Sequence, residues 1–425
     1  MQKTSLKKSL VSVLGGQVLI YALSLIQVPY LARHLSPEGF GIFSFAALMF
    51  TFGLNFIVYG VNNSGVYLFR KHHGSLLRRS LVFWNQLATQ LILATVGALI
   101  LGAALLFNDE MHAHAAAYGM IALSFVTNAL YNPWIFVATE RFHVMTAANI
   151  VMRAGSLLLV IMLVRDPGDV FQAVLALVLP AVVTTLVFLW WSFHNRIIRA
   201  VPLSMINPLK VLRRDASVAG SAYVALLNSY IGMALAKFIL NDHDYGLLSF
   251  GDRFRWISIV AISMVGSVLF SRYCGERASS VDLGARFGLK SATALAASGL
   301  AIATTIAIAV HPLTLVLGGQ KFLPAQPVVL LVALAVPFFG LNYYLTTFVI
   351  NVFGMASRQL MVLLATSALI AGGIYFVPAP TAVEIMSIIT AGEIMRTLLS
   401  LLIIRIAGHR PFQPGLIRTS LKTAV

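Results

Sequence analysis

Arg78-Arg79-Ser80-Leu-Val-Phe-Trp84-Asn-Gln-Leu-Ala-Thr-Gln90-Leu-Ile-Leu-Ala-Thr-Val-Gly-Ala-Leu-Ile100-Leu-Gly-Ala-Ala-Leu-Leu-Phe-Asn108-Asp109-Glu110 carries no charge between its basic start and its acidic end. A helix of about 20 apolar residues crosses a hydrocarbon core of about 30 Å, so residues 80–106 are predicted to span a membrane. Cytoplasmic loops collect Lys and Arg. The flanking charges therefore put Arg78 and Arg79 inside and Asp109-Glu110 outside. The same reading applied outward gives twelve spans, at about 10–32, 40–64, 80–106, 115–138, 144–164, 170–193, 214–238, 246–272, 287–310, 325–350, 359–377 and 382–406. They are continuous apolar runs rather than short alternating segments, which argues against a β-barrel.

Twenty-two of the 30 Lys and Arg residues fall in alternate gaps, beginning with Lys3, Lys7 and Lys8 and ending with Arg405, Arg410, Arg418 and Lys422. Both termini are therefore predicted cytoplasmic. The opposite gaps hold only Arg33, Arg165 and Lys321, and none is long enough to fold as a domain. The 425 residues are 59% hydrophobic and 10% charged, with a mean hydropathy of +0.87. Soluble domains carry about 25% charged residues, so lipid must be the solvent here. The net charge of +16 is read as a cytoplasmic face meeting anionic headgroups. It is not read as a nucleic-acid surface, because no basic stretch lies in a foldable polar domain. Cys274 is the one cysteine, and the histidine pairs His72-His73 and His112/His114 lack zinc-spaced companions, so neither a disulfide nor a metal site is expected. The first apolar run is too long for a signal peptide and lacks a small-x-small cleavage site, so it should remain as the first membrane helix.

The fold class expected is thus an all-α polytopic membrane protein of twelve helices. The hydrophilic stretch 196–213 is predicted to link an N-terminal six-helix lobe, 1–195, to a C-terminal lobe, 214–425, with a short basic tail. The halves look related. Leu31-Ala-Arg33-His-Leu-Ser-Pro-Glu-Gly-Phe40-Gly-Ile-Phe-Ser-Phe45 aligns, with one insertion, to Leu235-Ala-Lys237-Phe-Ile-Leu-Asn-Asp-His-Asp-Tyr245-Gly-Leu-Leu-Ser-Phe250. Asn128 and Asn342 form a fainter match. Repeats of six helices enter from one side and relate by an axis along the membrane normal. Two such bundles suit an alternating-access transporter.

Val28-Pro-Tyr-Leu-Ala-Arg33-His-Leu-Ser-Pro-Glu-Gly-Phe-Gly41 with Ile57-Val-Tyr-Gly60-Val-Asn62, then Pro133-Trp134-Ile-Phe-Val-Ala-Thr-Glu140-Arg-Phe and Leu317-Gly-Gly-Gln-Lys321-Phe-Leu-Pro, resemble the bacterial polysaccharide flippases. These are O-antigen-type lipid-linked-oligosaccharide translocases of the multidrug/oligosaccharidyl-lipid/polysaccharide exporter superfamily. The resemblance runs in order over about 10–360. It departs where the family usually has Gly-Phe-Asn against Gly60-Val-Asn62, and Gly where Ala138 stands. It implies a V-shaped two-lobed bundle in the bacterial inner membrane. It also implies a substrate carried on undecaprenyl pyrophosphate, moved from the cytoplasmic to the periplasmic leaflet, with a polysaccharide polymerase and chain-length machinery as partners beside the membrane lipids.

Moving a sugar diphosphate through hydrocarbon requires donors that replace water, and Arg presents a planar fork matched to phosphate oxygens. Basic residues within or at the ends of spans are therefore the substrate-binding candidates: Arg253, Arg255, Arg153, Arg33, Lys237 and Arg396. Asp252 and Arg255, like Glu393 and Arg396, are three apart and share a helix face, so each pair could equally be self-satisfied. Arg33 and Lys237 occupy matched places in the repeat, although snorkelling would explain each. Asp252 and Glu393 are candidates for coupling to H⁺ or Na⁺, with no other cofactor expected. Trp256 and Asn128 are candidates for sugar contact, while Asn55, Asn62, Asn63, Asn85, Asn132 and Asn149 are expected mainly to bond helices together. Trp84, Trp134, Trp190 and Trp191 fall near span ends, as an interfacial belt predicts. No catalytic residue is assigned. A drug exporter of the same superfamily is the nearest alternative. A polymerase or ligase is disfavoured by the short outer gaps, and ATP by the lack of a phosphate-cradling Gly-rich motif. Arg253→Ala and Arg255→Ala are both expected to reduce export at unchanged protein level.

Overall fold

The computed structural model describes residues 6–72 and 74–408, without the side chains of residues 6–14, 17, 18, 62, 63, 110, 278, 279 and 281. Lys3, Lys7, Lys8, Arg410, Arg418 and Lys422, and the amides of Asn62 and Asn63, lie outside that description. All regular structure among the described residues is helical. The helices are α1 (Leu6–His34), α2 (Pro37–Val58), α3 (Val61–Lys71), α4 (Leu76–Phe107), α5 (Asp109–Ala113), α6 (Ala115–Leu130), α7 (Trp134–Ala138), α8 (Phe142–Leu163), α9 (Val170–His194), α10 (Pro208–Lys237), α11 (Asp242–Ser279), α12 (Val281–Ile308), α13 (Val310–Gly318), α14 (Gln326–Tyr344), α15 (Ala356–Phe376) and α16 (Ala382–Ile406). Among the described residues, 11 candidate spans are long and apolar enough to cross a membrane. Helix α1 contains the first expected span in its range. Outward-facing Leu99, Leu106, Phe107, Ile308, Tyr375 and Phe376 would be untenable in water and meet lipid instead. The protein is a multi-pass membrane protein.

Helix starts follow local chemistry. Ser36 caps α2, its hydroxyl accepting from Gly39 N at 3.0 Å, with Pro37 in the first turn. Asn241 caps α11 by accepting from Asp244 N at 2.8 Å. These are the same place in the sequence repeat. Such a cap contributes about 1 kcal/mol. The repeat extends to burial: Ala32 with Ala236, Phe40 with Tyr245, Ser44 with Ser249 and Phe45 with Phe250 are all buried. Thr381 and Glu384 close a reciprocal capping box on α16.

By internal contacts the chain divides into two units, Met1–Leu226 and Leu227–Val425, with the division falling inside α10. In the first unit α6 is central, packing on α2, α4 and α9, while α8 packs on α9. In the second α14 is central, packing on α11, α12 and α16, while α15 packs on α16. The pairings repeat when each span is advanced by six. Residues 208–213, read as linker from their polarity, are the first turns of α10.

Several expected spans are interrupted. The stretch 40–64 breaks at Tyr59 (φ 44°) and Gly60 (φ 70°), two successive left-handed residues, and α3 departs from there. Gly tolerates this backbone where Tyr is strained. Tyr59 donates to Leu212 O at 3.1 Å, and Tyr223 donates to Phe56 O at 2.6 Å, so α10 holds the break. Just beyond it, Ser64 donates to Asp215 at 2.6 Å while Arg214 pairs with the same carboxylate at 2.7 Å. The stretch 115–138 breaks at Pro133, which cannot supply the N–H a continuing helix needs. The following turn, α7, buries Trp134 among Phe69, Phe83, Leu87, Ile197 and Ile198, and its indole donates to Asn132 Oδ1 at 2.7 Å. Trp134 is therefore a core residue of this cluster, not an interfacial anchor as its sequence position suggested.

Close helix contact in the second unit rests on glycine. A Cβ on Gly340 would lie 2.9 Å from the Leu295 carbonyl carbon of α12, against backbone that cannot swing aside. Gly340→Val is expected to cost about 3 kcal/mol through overpacking, seen as a lowered unfolding midpoint in lipid nanodiscs. Gly372→Ala, which meets open space, should leave the midpoint unchanged or raise it slightly.

Between α8 and α9, Asp169 accepts from the backbone N–H groups of Arg165 and Asp166, both at 2.9 Å. Those two bonds hold its carboxyl below the usual aspartate range. A carboxyl with a lowered folded pKa stabilises above its unfolded value of about 3.9, and the stabilisation is lost as pH falls through the folded value. Hydrogen exchange at Arg165 and Asp166, corrected for intrinsic rates, should therefore stay slow at neutral pH and accelerate only in that acid window. Asp169→Asn should weaken the protection at neutral pH and abolish its acid dependence.

Candidate functional site

Helix α11 must carry Asp252, Arg253 and Arg255 ten or more residues beyond its start, which at 1.5 Å per residue is about 15 Å along the axis. Glu393 and Arg396 lie at a similar depth on α16, and α11 packs on α16. An unpaired charge at such depth costs about 2.5–3.5 kcal/mol, so the fold gathers these side chains. Arg255 Nε donates to Asp252 Oδ1 at 2.6 Å, and its Nη2 reaches Ser229 O at 3.3 Å. Both side chains of this pair are almost wholly buried, at 4% and 10% exposure. Glu393 is within electrostatic reach of Arg255, and pairs more loosely with Arg396, at 3.5 Å. Arg253 sits within electrostatic reach of Asp252. Among the described residues, Arg253, Arg255 and Arg396 thus share one region with Asp252 and Glu393.

Neutral groups complete the region. Asn342 donates to Glu393 Oε2 at 3.3 Å and accepts from Thr397 Oγ1 at 3.1 Å. Immediately after Asn342 the backbone widens into a π-turn, Leu345–Ile350, an irregularity common at functional sites. Trp256 stacks on Tyr230 with centroids 5.2 Å apart and lies 5.3 Å from the Arg255 guanidinium. Nearby, Asn228 of α10 donates to Thr366 Oγ1 at 2.7 Å and Leu363 O at 3.2 Å of α15. Arg396, with its side chain 24% exposed, and Arg253, partly exposed, are the cations with surface to offer. Arg255 is enclosed.

Lys237 is buried at the end of α10, ion-paired with Asp242, with its ammonium 5.9 Å from the Tyr245 ring. Its repeat partner Arg33 is exposed at the end of α1. In the first unit Arg153 is partly exposed on α8, three residues before Ser156, which accepts from Gln27 at 3.0 Å. Asn128 is buried in α6, and its Nδ2 finds no hydrogen-bond partner among the described residues. Sequence reading missed Thr397, Tyr230 and the carbonyl of Ser229. Thr397 stands four residues after Glu393, a helical-face signal that was legible. The π-turn and the Ser229 carbonyl leave no mark in residue types.

The fold and this buried charge cluster define a helical membrane protein that holds ionised side chains inside its spans. A family model described as "Polysaccharide biosynthesis protein" matches residues 6–271, and the chain belongs to that family. It is 26% identical over 231 residues to a protein of Escherichia coli (strain K12) described as "Putative O-antigen transporter", and spans about half, 54%, of that relative's length. The fold is similar to that of the lipid II flippase MurJ in an inward closed conformation, with a TM-score of 0.70, 12% identity, and coverage of 92% of this chain and 87% of that one. It is also similar to the eukaryotic MATE transporter AtDTX14, with a TM-score of 0.60, 13% identity, and coverage of 96% and 97%. At these identities the structural likeness speaks to fold alone.

Proposed function

We propose that the protein is a flippase that carries an undecaprenyl-pyrophosphate-linked oligosaccharide from the cytoplasmic to the periplasmic leaflet of the bacterial inner membrane by alternating access. The observation that carries this reading is the cluster of Arg253, Arg255, Arg396, Asp252 and Glu393 deep in α11 and α16. A diphosphate crossing hydrocarbon needs charged donors held away from bulk water. The cluster supplies them from the exposed part of Arg396 and Arg253, while Asp252 keeps Arg255 oriented. Family membership and the likeness to a protein described as "Putative O-antigen transporter" support the same substrate class. In this reading twelve helices cross the bilayer with both termini cytoplasmic, the chain performs no catalysis, and the delivered unit passes to a polymerase and chain-length machinery.

The test is deletion of the gene in its host and localisation of the undecaprenyl-linked sugar across the inner membrane. Accumulation on the cytoplasmic leaflet with loss of surface polysaccharide is expected. Normal outward movement with unpolymerised units would overturn the reading in favour of an enzyme. An unchanged lipid would overturn it in favour of an exporter of another compound. Coupling to H⁺ or Na⁺ through Glu393 or Asp252 is part of the proposal, and would be abandoned if flipping continued unchanged after both gradients were collapsed.

A further inference from the structure

The segment joining α9 to α10 is stitched to the start of α4. Ser80 Oγ accepts from Arg199 N at 2.9 Å, and Trp84 Nε1 donates to Arg199 O at 2.9 Å. Asn85 Oδ1 accepts from Asn207 N, and Thr89 donates to Pro208 O at 3.2 Å. Ile197 and Ile198 are buried beneath it. With its inner side tied down, the segment turns Leu203 (85% exposed), Met205 and Leu209 outward. Arg196, Arg199, Lys210 and Arg213, all exposed, flank them in the sequence, and the chain has no acidic residue from 170 to 214.

The height of this segment follows from α4. Its 32 residues make a helix about 48 Å long, against a hydrocarbon core of about 30 Å. With Phe107 at one boundary, the core ends near Thr89. Trp84 and Ser80 then stand at headgroup level, where Trp is favoured. Exposed apolar side chains ringed by cations at that level match an anionic lipid surface in both shape and charge.

We propose that residues 196–213 form an interfacial strap that binds anionic phospholipid headgroups through Arg196, Arg199, Lys210 and Arg213 and immerses Leu203 and Met205 among the upper acyl chains. Assigning the strap to the cytoplasmic leaflet rests on the orientation in the proposed function; lipid contact itself does not.

The full-length Cys274→Ser protein carrying Leu203→Cys would be spin-labelled in nanodiscs of phosphatidylcholine, alone or with an equal part of phosphatidylglycerol. Collision with oxygen should exceed collision with a water-soluble nickel chelate, and more so with phosphatidylglycerol. Replacing the four basic residues by Gln should remove the difference between the two lipids, at an unfolding midpoint that shows the protein intact. A label as open to the nickel chelate in both nanodiscs as in free solution overturns the strap. Immersion indifferent to phosphatidylglycerol overturns the anionic-headgroup part. Reaction of the same cysteine with an impermeant maleimide on intact cells overturns the orientation instead, and leaves lipid contact standing.

Discussion

Arg255→Ala should leave little folded protein in the membrane. The side chain is 4% exposed and donates to Asp252 at 2.6 Å. Its removal strands a carboxylate in a region from which water is excluded. Breaking one partner of a buried pair costs about 3–5 kcal/mol, a large share of a typical total stability of about 5–15 kcal/mol. The unfolding midpoint in nanodiscs and the inserted yield should both fall sharply. Asp252→Asn combined with Arg255→Gln should recover much of the loss, because neither residue then leaves a buried charge; the excess over additivity measures the pair. An Arg255→Ala protein that unfolds like the parent would refute the enclosed ion pair. This narrows the expectation drawn from residue types, in which both arginines of α11 were to affect export alone. Arg253 keeps that expectation, whereas Arg255 adds a structural cost.

Arg396→Ala should act in the opposite way, slowing flipping while folded protein remains. Its pair with Glu393 is loose at 3.5 Å, and Glu393 keeps the Asn342 amide at 3.3 Å when Arg396 is gone. A hydrogen bond to a charged group contributes about 1.5–3 kcal/mol, so the initial rate of lipid-linked oligosaccharide appearing on the outer leaflet should drop about 10- to 100-fold. Arg396→Lys should recover only part of the rate, since an ammonium holds charge without the planar fork. An unchanged rate with Arg396→Ala at normal protein level would remove this residue from the diphosphate site. Arg253→Ala tests the neighbouring cation in the same assay.

The two helices that carry the cluster were legible as spans because lipid imposes a simple rule: every crossing segment must be long, apolar and internally hydrogen-bonded. The repeat was legible for a related reason. Ser36 and Asn241 start equivalent helices, and Phe40 and Tyr245 fill equivalent core positions, so the same local demands left the same letters. Spacing of three residues also announced the Asp252–Arg255 and Glu393–Arg396 pairs, since neighbours on a helix face can be read from numbering. The breaks were harder. Tyr59 at positive φ and the turn into α7 depend on partners far along the chain, Leu212 for the one and Phe69 for the other, and apolar runs look alike whether or not they are interrupted.

Composition, charge alternation and helical spacing were thus enough to specify a helical membrane protein, its matched helix starts and the charged residues its spans must hold, because these depend on short-range periodicity and on the cost of charge in hydrocarbon. Packing alone set the surroundings of each. It enclosed Arg255 and left Arg396 partly open, packed α11 against α16, drew Asn342 into the cluster near a π-turn, and bound the stretch after α9 to α4. Each of those outcomes depends on which helix faces meet, and a contact between residues on different helices leaves no periodic trace in the chain.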